Sequence, residues 1–410
     1  MQGTRRDKFE TSLLALTDRL NIERPMPLHK RNITFLTGFY LLCNIHCKEV
    51  YAPPAVKNNP GFLVVDGFLT SAPDSTYITL TRTRNMADTT IAPPETNAVV
   101  TVEGEISGAI PLPEIRAGVY GNLFPMDSSQ KYRLTIRTSA GTGYSSDFIP
   151  FKTTPSIDSL SWTEDSNQVS IMVSTHDAGN NTRYYRWAYE ETWLYHTFFT
   201  TNFNYENDIV VTRARDSLIY FCYTTKYSPD IQLGTSSSLS QDRISNIVVH
   251  NVSKASEKMY EKYSILVRQY ALTREQFDYW TNLKKNSENL GTLFDAQPSQ
   301  LSGNIHCTSN PLETVLGDLY ASTVTRKRMF INRNQVTLYF VNPYFLPCQI
   351  NGDVTLVIDG SDKQKAYDYL EKPGHLYTFL YDNYGYHIAE NLCADCREHG
   401  GTITKPDFWP

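Results

Sequence analysis

Tyr132, Leu134 and Ile136 alternate with Arg133, Thr135 and Arg137, and this two-residue period recurs along much of the chain. Successive side chains of a strand point to opposite faces, so the pattern demands strands with one buried and one solvated side. Phe62 to Leu69, Tyr77 to Arg82 and Ala98 to Glu103 read the same way. Ser139 to Gly143 then makes a turn, and Tyr144 to Phe151 returns as a partner strand. Short strands separated by turn signals imply antiparallel pairing, and residues 61–154 have the length of one sandwich. The 27 Tyr and 19 Phe suit pleated surfaces, and the 21 Gly and 21 Pro punctuate them.

Thr154-Pro155-Ser156 marks a domain boundary, and a second β unit follows over 155–410. Ile157 to Trp162, Val169 to Ser174 and Thr182 to Trp193 are its first strands, with a turn at Asp177 to Asn181. Tyr185, Trp187 and Tyr189 share one face of the third strand. That face is expected in the core, and a sugar-stacking platform is the competing reading. Tyr263 to Leu272 is another strand. Thr273-Arg274-Glu275-Gln276 after it is a capping box, opening a helix near 274–288 with Phe277, Trp280 and Leu283 as a seam against the sheet. Strands are expected again at Lys327 to Asn332, Val336 to Val341 and Val354 to Asp359. The fold class is therefore mainly β. It comprises two antiparallel sandwich units, similar to immunoglobulin and fibronectin type III modules, the second enlarged by a short helical insertion.

The N-terminal region carries a different signal. His29-Lys30-Arg31 is a basic cap, Ile33 to Ile45 an apolar run, and Cys47 closes it. The run is shorter than the roughly 20 apolar residues that a transmembrane helix needs, and the order is that of a lipoprotein signal peptide. Asn44 and His46 stand where a lipobox has Leu and a small residue, so the match is loose. Met26 stands three residues before His29, just upstream of the cap, which makes 26–46 the expected signal peptide and 1–25 an upstream extension from a misplaced start. Cys47 is the expected lipidation site, and 47–60, with its Pro53-Pro54 pair, a tether to the membrane.

Charge narrows the partners. Removing the seven basic and four acidic residues of 1–46 from the chain's 38 and 43 leaves a formal net charge of −8 for the mature part. Nucleic-acid binders need a basic surface, so nucleic acid is an unsuitable partner. Five cysteines follow Cys47: Cys222, Cys307, Cys348, Cys393 and Cys396. An odd count leaves at least one unpaired within the chain, and the connectivity stays open. Cys393 and Cys396 are candidate disulfide cysteines, joined either to each other or from one of them to an earlier cysteine. A zinc site using both with His399, and His387 or Cys348 in space, is the competing reading. Serine-nucleophile elbows, phosphate loops, zinc-protease boxes and dinucleotide glycine patterns are absent. Glu190 and Glu191 are adjacent on a strand and face opposite sides, which is wrong for a cooperating carboxylate pair. No catalytic residue, cofactor or metal is expected.

Several segments together resemble a Bacteroidota lipoprotein family labelled domain of unknown function 4249. They include Cys47-Lys48-Glu49-Val50-Tyr51, Leu63-Val64-Val65-Asp66-Gly67, Leu80-Thr81-Arg82-Thr83 and Gln269-Tyr270-Ala271-Leu272-Thr273. Arg183-Tyr184-Tyr185-Arg186-Trp187 with Glu190-Glu191-Thr192-Trp193, and Cys393-Ala394-Asp395-Cys396-Arg397 with Gly400-Gly401-Thr402 and Lys405 to Trp409, complete the set. The resemblance implies a lipoprotein encoded beside TonB-dependent receptors and anchored in the outer membrane, at its outer or periplasmic face. It implies no reaction. The expected function is a non-catalytic accessory or binding protein for such a receptor in nutrient uptake. An envelope hydrolase acting on glycan or peptide, and a structural surface protein, are the rivals.

Overall fold

Alternation along each segment becomes alternate burial. In the strand Lys131–Arg137, Tyr132, Leu134 and Ile136 are buried while Arg133 and Thr135 are only partly covered. The computed structural model describes residues 61–84, 91–206, 209–214, 218–288 and 303–338. Further along it describes Asn342, Phe345, Cys348, 355–358, Gln364, Lys365, Asp368, 376–382 and 385–410. Cys47 and the expected signal, tether and upstream segments lie outside these residues. The molecule is mainly β, with several antiparallel sheets and few helices.

The first nine strands are β1 (Leu63–Phe68), β2 (Thr76–Arg82), β3 (Val99–Gly104), β4 (Gly108–Leu112), β5 (Glu114–Arg116), β6 (Val119–Asn122), β7 (Lys131–Arg137), β8 (Gly143–Ser146) and β9 (Ile149–Pro150). One sheet has the order β1-β2-β6-β5, and a second runs β8-β7-β3-β4. Leu63, Ile78, Leu80 and Tyr120 from the first meet Val102, Leu134, Ile136 and Tyr144 from the second in one core. Each such side chain contributes about 1.5–3 kcal/mol by leaving water.

The chain then crosses into a second core. Its strands are β10 (Ile157–Glu164), β11 (Gln168–His176), β12 (Tyr184–His196), β13 (Phe203–Glu206), β14 (Ile209–Thr212), β15 (Phe221–Tyr227), β16 (Gln232–Thr235), β17 (Arg243–Ser253) and β18 (Lys262–Leu272). Helix α1 (Arg274–Glu288) follows, and its capping box forms as the sequence implies. The Thr273 amide donates to Gln276 Oε1 at 2.9 Å, and the Gln276 amide to Thr273 Oγ1 at 3.3 Å.

After the helix the chain returns to the first core. Strand β19 (Ile305–Cys307) pairs with β8, and Ile305, Cys307, Val315, Leu319 and Ala321 join the first core. The first core is therefore built by more than 61–154. Gly317 lets this segment lie against β1: its φ is +131°, and a side chain there would collide with the Val65 carbonyl oxygen. The chain crosses a second time beside the first crossing, where the Thr154 amide donates to Thr323 Oγ1 at 2.8 Å.

Strand β20 (Val324–Asn332) then completes the order β15-β12-β18-β20 in the second unit, which faces the sheet β10-β11-β17. Val336 to Leu338, expected as the start of a strand, are irregular. Arg333–Gln335 form a 3-10 turn in which Gln335 Oε1 accepts from the Asn332 amide at 2.8 Å, and the rest of that expected strand lies outside the described residues. A small sheet of β21 (Thr355–Ile358), β22 (Leu376–Asp382) and β23 (Gly385–Glu390) leads to the short helix α2 (Asn391–Ala394).

Candidate binding face

Strand β12 is central in its sheet, so its alternation sorts side chains between the core and the sheet's outer face. Tyr185, Trp187, Tyr189, Trp193 and Tyr195 go inward and are at most 3% exposed. The expected core role of Tyr185, Trp187 and Tyr189 holds, and burial removes the sugar-platform reading. Two of the three have matched polar atoms: Trp187 Nε1 donates to Gln269 Oε1 at 2.8 Å, and the Tyr185 hydroxyl to Asp242.

Glu191 also faces inward, with both oxygens engaged. Lys258 Nζ donates to Oε1 at 2.5 Å, the Tyr263 hydroxyl to Oε2 at 3.1 Å, and His250 Nε2 lies 3.2 Å from Oε2. Burial pushes the Glu191 carboxyl up, but His250 and Lys258 outweigh it and hold the group below the usual glutamate range. Glu257 is the counter-case. Its Oε1 accepts from Trp193 Nε1 at 3.0 Å, its Oε2 has no hydrogen-bond partner among the described residues, and burial raises its pKa. Glu191 thus ties β12 to β17 and β18 as a charge clamp. A carboxylate so fully engaged is poorly placed to move a proton to or from a substrate.

The outer face has the opposite character. Glu190 lies between two arginines, with Arg268 Nη2 donating to Oε2 at 2.8 Å and Arg328 Nη2 to Oε1 at 3.1 Å. Burial would raise this carboxyl, and the two guanidinium groups bring it below its ordinary range. Arg328 Nη1 also donates to Ser264 Oγ at 3.0 Å, and the guanidinium stacks 3.4 Å from the Phe408 ring centroid. A guanidinium carries five N–H donors. Among the described residues Arg268 spends one and Arg328 two.

Two aromatic groups bound this strip. At one end Arg186 lies 4.1 Å from the Trp280 ring and 5.4 Å from Tyr270, and its Nη1 donates to the Tyr320 hydroxyl at 3.0 Å. Phe277 and Trp280 of α1 pack there with Tyr184, Tyr270, Tyr320 and Phe68, so two of the three expected seam residues take that role. At the other end Trp409 sets its ring edge-on to Tyr223 and Phe330, at centroid distances of 5.2 and 5.5 Å. Residues 400–410 reach this place because Thr402 pairs with Tyr223 and Cys396 is bonded to Cys222.

The C-x-x-C cysteines are not joined to each other. Cys396 bonds to Cys222 and Cys393 to Cys348, with Cys307 free and buried. The reason is local: α2 ends at Ala394 and Asp395 turns extended, so the chain leaves the helix between the two cysteines. Cys393 enters a small cluster with Ala389 and Phe199, and Cys396 enters the second core. Both sulfurs are committed, which leaves neither for a metal. His399 Nε2 lies 2.8 Å from the Leu392 carbonyl oxygen.

The arginine face was missed by motif reading, which noted only that Glu190 and Glu191 diverge. A signal was present in Arg326 and Arg328 at alternate positions of one strand and in Arg186 and Glu190 on another. Same-face charges on two strands are a pairing waiting for a register.

A family described as a domain of unknown function (DUF4249) matches residues 48–328. No curated protein matches the sequence. Among solved structures, a chain of a cytokine receptor complex is 9% identical, with 50% of this chain and 90% of that chain covered, at a TM-score of 0.18. A protein of Corynebacterium diphtheriae, provisionally described as membrane anchored, is 12% identical over 52% of this chain and 55% of its own, at 0.16. A protein of Bacteroides uniformis ATCC 8492, provisionally described as carbohydrate binding, is 9% identical over 52% and 90%, at 0.14. Likenesses this slight carry no argument.

Proposed function

The chain belongs to the DUF4249 family, and from that premise we propose that it is a lipid-anchored outer-membrane protein that binds rather than catalyses, assisting a TonB-dependent receptor in nutrient uptake. The order of basic cap, apolar run and Cys47 supports the anchor. The two β cores, read as immunoglobulin- or fibronectin-type sandwiches, are scaffolds that display faces and loops. One observation carries the binding role. The inward carboxylate Glu191 is fully engaged, whereas among the described residues the outward arginines Arg268 and Arg328 keep most of their donors unspent. Donors held in place by packing yet left unmatched serve recognition better than stability. A membrane anchor would raise the local concentration of any partner in the same membrane, so a modest interface would suffice.

The test is affinity purification of the tagged protein from native membranes, with partners identified by mass spectrometry. A TonB-dependent receptor should co-purify, and Cys47→Ser should move the protein to the soluble fraction. Continued sedimentation of the Cys47→Ser form with membranes would refute the anchor. Turnover of a glycan, peptide or ester, abolished by one substitution that leaves the fold intact, would refute the non-catalytic reading.

A further inference from the structure

We propose that the outer face of the sheet β15-β12-β18-β20 is a site for an acidic oligosaccharide, whose carboxylates take the open donors of Arg268 and Arg328. The inference rests on the binding role proposed above and names its ligand class.

Charge is segregated on this face. Among the described residues Arg186, Arg268, Arg326, Arg328 and Lys262 share it with Glu190, Asp74 reaches in to hold Arg326 at 2.8 and 3.0 Å, and Glu261 pairs with His196 at 3.2 Å at its far end. This excess of positive charge sits on a chain whose net charge is −5. The complement of such a face is an anion. Arginine's planar fork favours carboxylate, which it can hold through two parallel hydrogen bonds. Glu190 already takes one hydrogen bond from each of the two guanidinium groups, as an internal carboxylate between them.

The aromatic residues specify more than charge. Tyr227 is directly across from Glu190 in the ladder and 69% exposed, and Phe408, stacked on Arg328, is 38% exposed. Exposed ring faces at both sides of a charged floor suit the apolar C–H faces of sugar rings, with the acidic groups directed to the arginines.

Size and backbone decide between a glycan and a protein. Tyr227, Glu190, Leu266 and Arg328 form one row across four strands. Three interstrand steps of about 4.8 Å make that row about 14 Å wide. A stable protein interface needs about 800 Å² on each side, and a strip about 14 Å wide would have to run about 57 Å to supply it, longer than the 13 residues of β12 extend at about 3.4 Å each. An acidic peptide is also a poor fit. Extended peptides bind best by adding to a sheet edge, and this floor is a face whose backbone groups are already paired.

The experiment is calorimetric titration of the purified full chain with oligogalacturonate, a neutral galactose oligomer of equal length, oligoglutamate and sodium sulfate. Oligogalacturonate should bind, and its affinity should fall at high salt because the attraction is screened. Tyr227→Ala, a change at an exposed position, should weaken it about fivefold or more. Glu190→Gln removes the internal competitor and should tighten it. Equal binding of the neutral oligomer, equal or tighter binding of oligoglutamate, or indifference to both substitutions would overturn the proposal. Receptor co-purification is read separately, so a protein that keeps its receptor and ignores the uronate refutes this inference alone.

Discussion

Glu190 and Glu191 are consecutive on β12 yet belong to different charge systems. Glu190 faces outward between Arg268 and Arg328, and Glu191 faces inward among His250, Lys258 and Tyr263. One peptide unit separates a carboxylate that leaves its partners with spare donors from one that is wholly engaged. The strand's two-residue period divides them.

Removing the inward charge should be expensive. Glu191→Gln leaves Lys258 and His250 facing an uncharged group in a buried site, and a loss of about 3 kcal/mol is expected by urea unfolding at neutral pH. The folded pKa of Glu191 is lowered from 4.5. Its stabilisation is therefore complete above the ordinary glutamate value and is lost as pH falls through the lowered one. A variant as stable as the wild type at neutral pH would show the clamp to be idle.

Glu257 should behave in the opposite sense. Its folded pKa is raised from 4.5, so its favourable contribution is present below that value and fades as pH rises through the raised one. The wild type should lose stability relative to Glu257→Gln as pH rises above the ordinary glutamate range. Parallel stability curves over that range would contradict the assignment.

Peptide mapping without reduction should yield linked fragments for Cys222–Cys396 and Cys348–Cys393, and none joining Cys393 to Cys396. Reduction should cost about 2–5 kcal/mol for each bond, since both close long loops. A dominant Cys393–Cys396 fragment would rule out this connectivity.

The return of 303–322 to the first core depends on close backbone approach at Gly317. Gly317→Ala should destabilise the protein by more than about 1 kcal/mol, because it meets both an unfavourable φ and the Val65 carbonyl. Hydrogen exchange should show the loss first in β1 and β19. Unchanged exchange there would mean that the return segment contributes little to this core.

By itself the sequence determined what depends on near neighbours. Burial of Tyr132, Leu134 and Ile136 follows from a period of two, and the helix at 274–288 from a box four residues long. The inward turn of Tyr185, Trp187 and Tyr189 and the divergence of Glu190 from Glu191 are equally local. Tertiary structure alone decided which distant segments met. Cys222 and Cys396 lie 174 residues apart, and the chain runs through β10 to α1 before β19 reaches β8. The charge partners Arg268 and Arg328 come from other strands, set opposite Glu190 by the register of the sheet. Backbone geometry makes the faces of a strand calculable from order alone. Pairing between strands is settled by packing two cores at once, and that is a property of the whole chain.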